Sequence, residues 1–163
     1  LELDPLAQIV LFRYQKTELH HRLLKRFEKT IPSGLERLCF LPWSSLDDFF
    51  SILMQAHVVL DTFHFSGINT AYQVIAAKAP MVTWPSPYMR GRLCYSLYKR
   101  IEVMDCVATN QEEYVNIACR LATDPDYRAR VCDTIQKNSS ILYHNSQEGV
   151  QEMIDFFERV KPK

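Results

Sequence analysis

Glycine is scarce in this chain. Four glycines in 163 residues leave no G-x-G-x-x-G run or other glycine-rich phosphate loop, so a nucleotide site has to be argued from position in the fold. Excess charge is missing too: Lys+Arg and Asp+Glu number 19 each, and neither sign forms a long run. That balance excludes a non-specific nucleic-acid or membrane-surface binder, either of which needs a basic surplus. No window approaches the roughly eighteen apolar residues of a membrane span, and no signal-peptide pattern is present. The five cysteines, Cys39, Cys94, Cys106, Cys119 and Cys132, are odd in number and scattered without a C-x-x-C pair. They predict neither a zinc site nor a disulfide framework, and a reducing, cytoplasmic setting is expected. Internal repeats and low-complexity tracts are also absent.

What is present is enough apolar residue, 47%, for one sizeable core, read as a single domain over residues 1–163. Buried strands are expected at 8–12, 37–42, 58–60, 80–85 and 106–108. Helices are expected at 16–29, from 46 with Ser44 or Ser45 as cap, from 69 or 70 to 79, and at 89–101. Three more follow at 110–123, 125–140 and 146–160. In the helix from Leu46 the buried face is assigned to Phe49, Phe50, Leu53 and Met54. Five alternations of strand and helix with short connections predict right-handed βαβ crossovers, hence an α/β fold with a parallel, Rossmann-like sheet and a wholly helical C-terminal end. A parallel sheet normally has strands on both sides of its first one, so a strand so near Leu1 suggests a piece of something larger.

The chain is organised around His57 to Pro85, read as strand, polar loop, helix and strand. Val58-Val59-Leu60 is apolar on both faces, as a strand covered by helices should be. In the loop that follows, Gly67 lets an anion approach the backbone and permits φ > 0, while Asn69 is the expected N-cap. The free amides and dipole of a helix start suit a phosphate, and ligands in open α/β sheets collect beyond the carboxyl ends of strands, where this loop falls.

Few side chains elsewhere ask for chemistry. His64, between Phe63 and Phe65, reads either as a cleft residue or as a histidine packed among aromatics. His20-His21 are adjacent, so they do not share the i, i+4 face a metal needs; His57 and His144 have no company. Asp61 either meets a ligand or bonds its own loop. Arg90 reads equally as an anion contact across the strand ends or as part of a solvated helix face with Arg92, Lys99 and Arg100. No Ser-His-Asp order, carboxylate pair or Cys-His arrangement points to nucleophilic catalysis, and the catalytic residues stay unassigned.

The segments LPWSSLDDF, VVLDTFHFSGINTAYQVIA, APMVTWP and MRGRLCYSLYKRI, followed by VMDCVATNQEEY and LATDPDYRARV, give the chain its family likeness. It resembles the C-terminal half of the catalytic region of protein O-GlcNAc transferases and their bacterial tetratricopeptide-linked relatives, over nearly its whole length. The resemblance implies the C-terminal domain of a GT-B glycosyltransferase, with a UDP-sugar as donor substrate. It also implies inverting transfer to a Ser or Thr hydroxyl of a protein acceptor, with no metal ion or other cofactor. By the same resemblance Gly67, Ile68, Asn69 and Thr70 cradle the diphosphate, Gln73 lies near the ribose, Ser44 near the uracil, and His64 and Arg90 at the cleft.

The match also has departures. Gln73 stands where the family has an acidic residue, so its ribose bond is no longer charge-assisted and is weakened by about half. Leu46, Phe49 and Ile52 replace a lysine, a histidine and an arginine of the animal enzymes, and Ile68 replaces a histidine. The family's diphosphate-binding lysine, the acceptor-side domain and any tetratricopeptide region would lie before Leu1, so the isolated chain is expected to bind a nucleotide and catalyse nothing. The alternative is a degenerate GT-B domain serving as scaffold or interaction module. A flavodoxin-like or receiver module is disfavoured, because no acidic cluster follows the first strand.

Overall fold

The computed structural model describes residues 1–13, 16–143 and 147–161. His144 and the Asn145-Ser146 start expected for the last helix lie outside them.

Strands β1 (Ile9–Phe12) and β2 (Leu38–Leu41) pair in parallel, with Ile9 opposite Leu38 and Phe12 opposite Leu41. Between them runs α1 (Thr17–Thr30), followed by a 3-10 turn at Pro32–Arg37. Strands β3 (Val59–Leu60) and β4 (Met81–Val82) form a second parallel ladder, joined through α3 (Ile68–Ala76). Helix α2 (Leu46–Gln55) links the two ladders. Its N-cap is Ser45, in a reciprocal box with Asp48, which settles the choice between Ser44 and Ser45.

Three expectations change here. The five strands do not form one continuous sheet among the described residues. The expected fifth strand contributes a single parallel bridge, Thr83 to Val107, because Val107 turns back to bond Met104. The helix expected from 89 to 101 is broken into a 3-10 turn, Met89–Gly91, and α4 (Leu93–Arg100). A Cβ on Gly91 would stand 2.2 Å from Ser86 Oγ and 3.0 Å from the Phe63 carbonyl, so the turn packs where only glycine fits. Finally, Leu60 is exposed, and so is Met54, which lies off the stripe by which Phe49 and Leu53 reach the core.

Helices α5 (Gln111–Thr123), α6 (Pro125–Asn138) and α7 (Gln147–Val160) complete the helical end, the first two capped by Asn110 and Asp124. The core lies between β4, α3, α4 and α6, with Val74, Ile75, Tyr98, Ile101, Leu121 and Ile135 closed to solvent. The α3 face was legible from its spacing; Ala71, Val74 and Ile75 are all buried.

Cys94, Cys106 and Tyr98 are buried in this core, and desolvation raises all three above their ordinary values, Cys106 from 9.0 to about 12. The unfolded chain loses these thiol protons near pH 9.0 while the folded chain keeps them. Their contribution is therefore complete below pH 9.0 and is lost as pH rises toward about 12. Urea midpoints should fall steadily above pH 9.0, and less steeply in Cys106→Ala; equal slopes would refute the assignment.

Candidate functional site

Asp61 ends β3 and is 5% exposed, and its carboxylate gathers the loop that follows. Oδ1 accepts from the amides of Thr62 at 3.0 Å and Gly67 at 3.2 Å. Oδ2 accepts from Ser66 Oγ and Thr83 Oγ1, both at 2.7 Å. Of the two readings of Asp61, the loop-binding one is what the geometry shows. Ser66 Oγ also accepts the Cys94 amide at 3.0 Å, so the same hydroxyl ties the loop to the start of α4. From the other side Tyr114 of α5 donates its hydroxyl to the Asp61 carbonyl at 2.9 Å and meets the Phe63 ring edge-on, while Phe63 in turn meets Trp84.

This frame presents the start of α3. Its N-cap is Gly67, one residue outside the helix that begins at Ile68, and no side chain caps it. Asn69 is thus inside the first turn rather than at the cap. Gly67 has φ −77°, an ordinary extended value, so a left-handed turn is not its reason. The reason is space, since a Cβ there would press to 3.3 Å from Thr70 Cβ. With the Gly67 amide engaged by Asp61, the amides of Ile68, Asn69 and Thr70 are the first-turn donors left for an outside acceptor. Ile68 and Asn69 are exposed, and Thr70 and Gln73 half-buried.

The other candidates are placed less tightly. Arg90 Nε donates to the His64 carbonyl at 3.2 Å, and its guanidinium lies over the Tyr88 ring, 4.9 Å from the centroid. The Arg90 carbonyl accepts the Ser66 amide at 2.8 Å. Arg90 and His64 therefore stand together at the loop, joined through backbone, with the His64 imidazole exposed. Ser44 lies between β2 and α2, half-buried, its hydroxyl donating to the Pro42 carbonyl at 3.2 Å. It shares with Gly67 the carboxyl-end side of parallel strands, but no hydrogen bond joins them among the described residues. Phe49 packs its ring against Phe12 at 5.4 Å.

Two shallow grooves flank this region without containing Gly67–Thr70. One is lined by Pro87, Met89, Arg92, Tyr95 and Lys99, the other by Arg13, Thr17, His20 and Trp43, next to Ser44. Among the described residues no three His, Cys, Asp or Glu side chains gather as metal ligands, and no helix is long and apolar enough to cross a membrane.

Sequence reasoning missed Ser66, Thr83 and Tyr114. A Ser within a polar loop was the one readable hint; Tyr114 acts across 53 positions, beyond any local pattern.

Parallel ladders joined by helical crossovers define a Rossmann-like domain of the GT-B glycosyltransferase type. The family model described as glycosyl transferase family 41 matches residues 5–153, and the chain belongs to that family. It is similar to the UDP-N-acetylglucosamine–peptide N-acetylglucosaminyltransferase of Caenorhabditis elegans, at 37% identity over 94 residues, 56% of this chain and 8% of that protein. It is also similar to a probable transferase of the same description, SPINDLY, of Petunia hybrida, at 33% identity over 44% of this chain and 8% of the relative. The solved structure of a mutant O-GlcNAc transferase from Thermobaculum terrenum superposes with a TM-score of 0.79 at 26% identity, over 94% of this chain and 30% of that one. The chain thus spans 8% of the length of these curated relatives and under a third of the solved structure.

Proposed function

We propose that this chain is the UDP-sugar-binding part of an inverting protein O-glycosyltransferase. The observation that carries this reading is the uncapped start of α3, held by Asp61 beyond the end of β3 in a family 41 domain. The amides of Ile68, Asn69 and Thr70 would receive the diphosphate, with the Asn69 and Thr70 side chains beside it. Gln73, one turn further, would bond the ribose, and Ser44 the base. His64 and Arg90 would border the cleft. A Ser or Thr hydroxyl of a protein would be the acceptor, bound by a part of the enzyme outside these residues, and transfer would need no metal.

A second reading, a scaffold that has kept the fold and lost the ligand, draws on one observation. Phe49 is committed to apolar packing against Phe12, and Leu46 and Ile52 cannot donate to a nucleotide.

Isothermal titration of the complete gene product with UDP, with GDP and pyrophosphate as controls, separates the two. Saturable, UDP-selective binding is expected, weakened about tenfold by Asn69→Ala or Thr70→Ala, the loss of one charge-assisted bond at roughly 1.5 kcal/mol. No saturation with UDP up to millimolar concentration would overturn the donor reading in favour of the scaffold.

A further inference from the structure

Acidic residues are unevenly placed along this chain. From Thr62 to Ile101 there is none, although Lys78, Arg90, Arg92, Lys99 and Arg100 fall in that stretch and the whole chain balances 19 charges against 19. The last four lie on the turn at Met89–Gly91 and at the two ends of α4. All four are exposed, and none makes an ion pair among the described residues. Asp61, just before the stretch, is buried and bonded to its own loop, so it does not offset them at the surface.

Helix α4 sorts its residues by three-and-four spacing. Cys94, Leu97 and Tyr98 go into the core, while Arg92 and Lys99 stay exposed with half-buried Tyr95 between them. Together with Pro87, Met89 and Leu93 these line a shallow groove of about 490 Å³. That volume admits a few side chains rather than a folded surface. The groove is held firmly in place. Ser66 Oγ accepts the Cys94 amide, Ser86 donates its amide to the Gly91 carbonyl at 3.0 Å, and no Cβ fits at Gly91. Arg92 is positioned too, donating to the Ser86 carbonyl at 3.1 Å with its guanidinium 5.0 Å from the Tyr95 ring centroid. Helix stability does not ask for it, since a cation at a helix start opposes the dipole, whereas Lys99 in the last turn suits it.

We infer that this groove docks an extended, acidic peptide segment of a partner protein. Seven positions along a helix set Arg92 and Lys99 about 10 Å apart along its axis, so they meet two separate charges rather than converge on one phosphate. A polyproline II segment turns once every three residues and rises about 3.1 Å per residue. Carboxylates three positions apart therefore lie on one side of it at about 9 Å, matched to the two cations. Met89, which is 81% exposed, with Leu93 and the Tyr95 ring, offers apolar surface to other side chains of the same segment. A nucleic acid fits less well, because its backbone charge needs a basic surplus wider than a chain of zero net charge supplies. The inference goes beyond the donor reading and does not depend on it, since the groove excludes Gly67–Thr70 and needs no nucleotide.

Fluorescence anisotropy on the complete gene product, without nucleotide, tests it. The probe is a short labelled proline-rich peptide with aspartates three positions apart, and its control carries asparagines in their place. Saturable binding of the aspartate peptide is expected, with the control about tenfold weaker. Arg92→Gln and Lys99→Gln should each weaken binding about two- to fivefold, and together about tenfold. Lys25→Gln, on α1 and outside the groove, should leave it unchanged. Should Arg92→Gln lower the urea midpoint, Lys99→Gln alone decides, because the Lys99 side chain makes no hydrogen bond or ion pair among the described residues. No saturation up to millimolar peptide, equal binding of the control, or equal weakening by Lys25→Gln would overturn the inference. So would tighter binding of a single-stranded oligonucleotide of the same charge, which would assign these cations to nucleic acid.

Discussion

Asp61→Ala should lower folding stability by about 3–5 kcal/mol, the largest loss expected from any single polar residue near the loop. Ser66 and Thr83 are fully buried, and their hydroxyls both donate to Asp61 Oδ2 at 2.7 Å. Without the carboxylate both hydroxyl protons lose their acceptor, at about 1–3 kcal/mol apiece, and the Gly67 amide is released as well. Asp61→Asn should cost only about 1–2 kcal/mol. Its amide nitrogen can take the place of Oδ2 and donate to the two hydroxyls, which rotate to accept, while its oxygen keeps the Thr62 and Gly67 amides. Urea unfolding of both variants reads the difference. Equal losses would mean that the charge itself, not the set of hydrogen bonds, holds the loop. A loss below about 1 kcal/mol for the alanine variant would show that water replaces the carboxylate freely.

Asp61 also shows where sequence reading stops. Its position at the end of a strand was legible, as was the helix after it, because a β-branched run and a three-and-four spacing are local patterns. The bonding to loop backbone was one of the two readings available. What could not be read was the set of distant partners, Thr83 at 22 positions and Tyr114 at 53, since contacts across the fold leave no trace in local spacing.

The same limit explains the cap. Asn69 has the better capping side chain, but the geometry of the Asp61 loop starts the helix earlier and leaves Asn69 in its first turn. Short, apolar β3 looked like a fully covered strand; the exposed edge at Leu60 depends on what lies beside it in space, which composition cannot report. Family membership and the fold class, by contrast, rest on order and spacing along the whole chain. Those do not depend on any single side chain, such as Phe49 in its packing against Phe12.

Tyr98→Ala should cost a comparable amount, about 3–5 kcal/mol, and lower the Tm by roughly 6–20 °C. The side chain is closed to solvent in α4, and its hydroxyl accepts the Met81 amide at 2.8 Å. That amide is on the edge of β4 facing the Cys106 segment, where the next amide on the same side, Thr83, donates to the Cys106 carbonyl at 2.9 Å. The segment comes alongside β4 only at Thr83, through the single bridge to Val107, so it offers Met81 no carbonyl. The tyrosine hydroxyl supplies the acceptor that a longer strand would have provided. Tyr98→Phe isolates this term. Removing the oxygen leaves the ring packed but a buried amide unpaired, at about 1–3 kcal/mol, with the amide of Met81 exchanging faster than that of Thr83. If the phenylalanine variant is as stable as the parent, the hydroxyl is dispensable and the ring alone holds α4 to the sheet. If it loses what alanine loses, the strand depends on its borrowed acceptor. Through Thr83 Oγ1, two residues further along the same strand, so does the carboxylate that holds the loop.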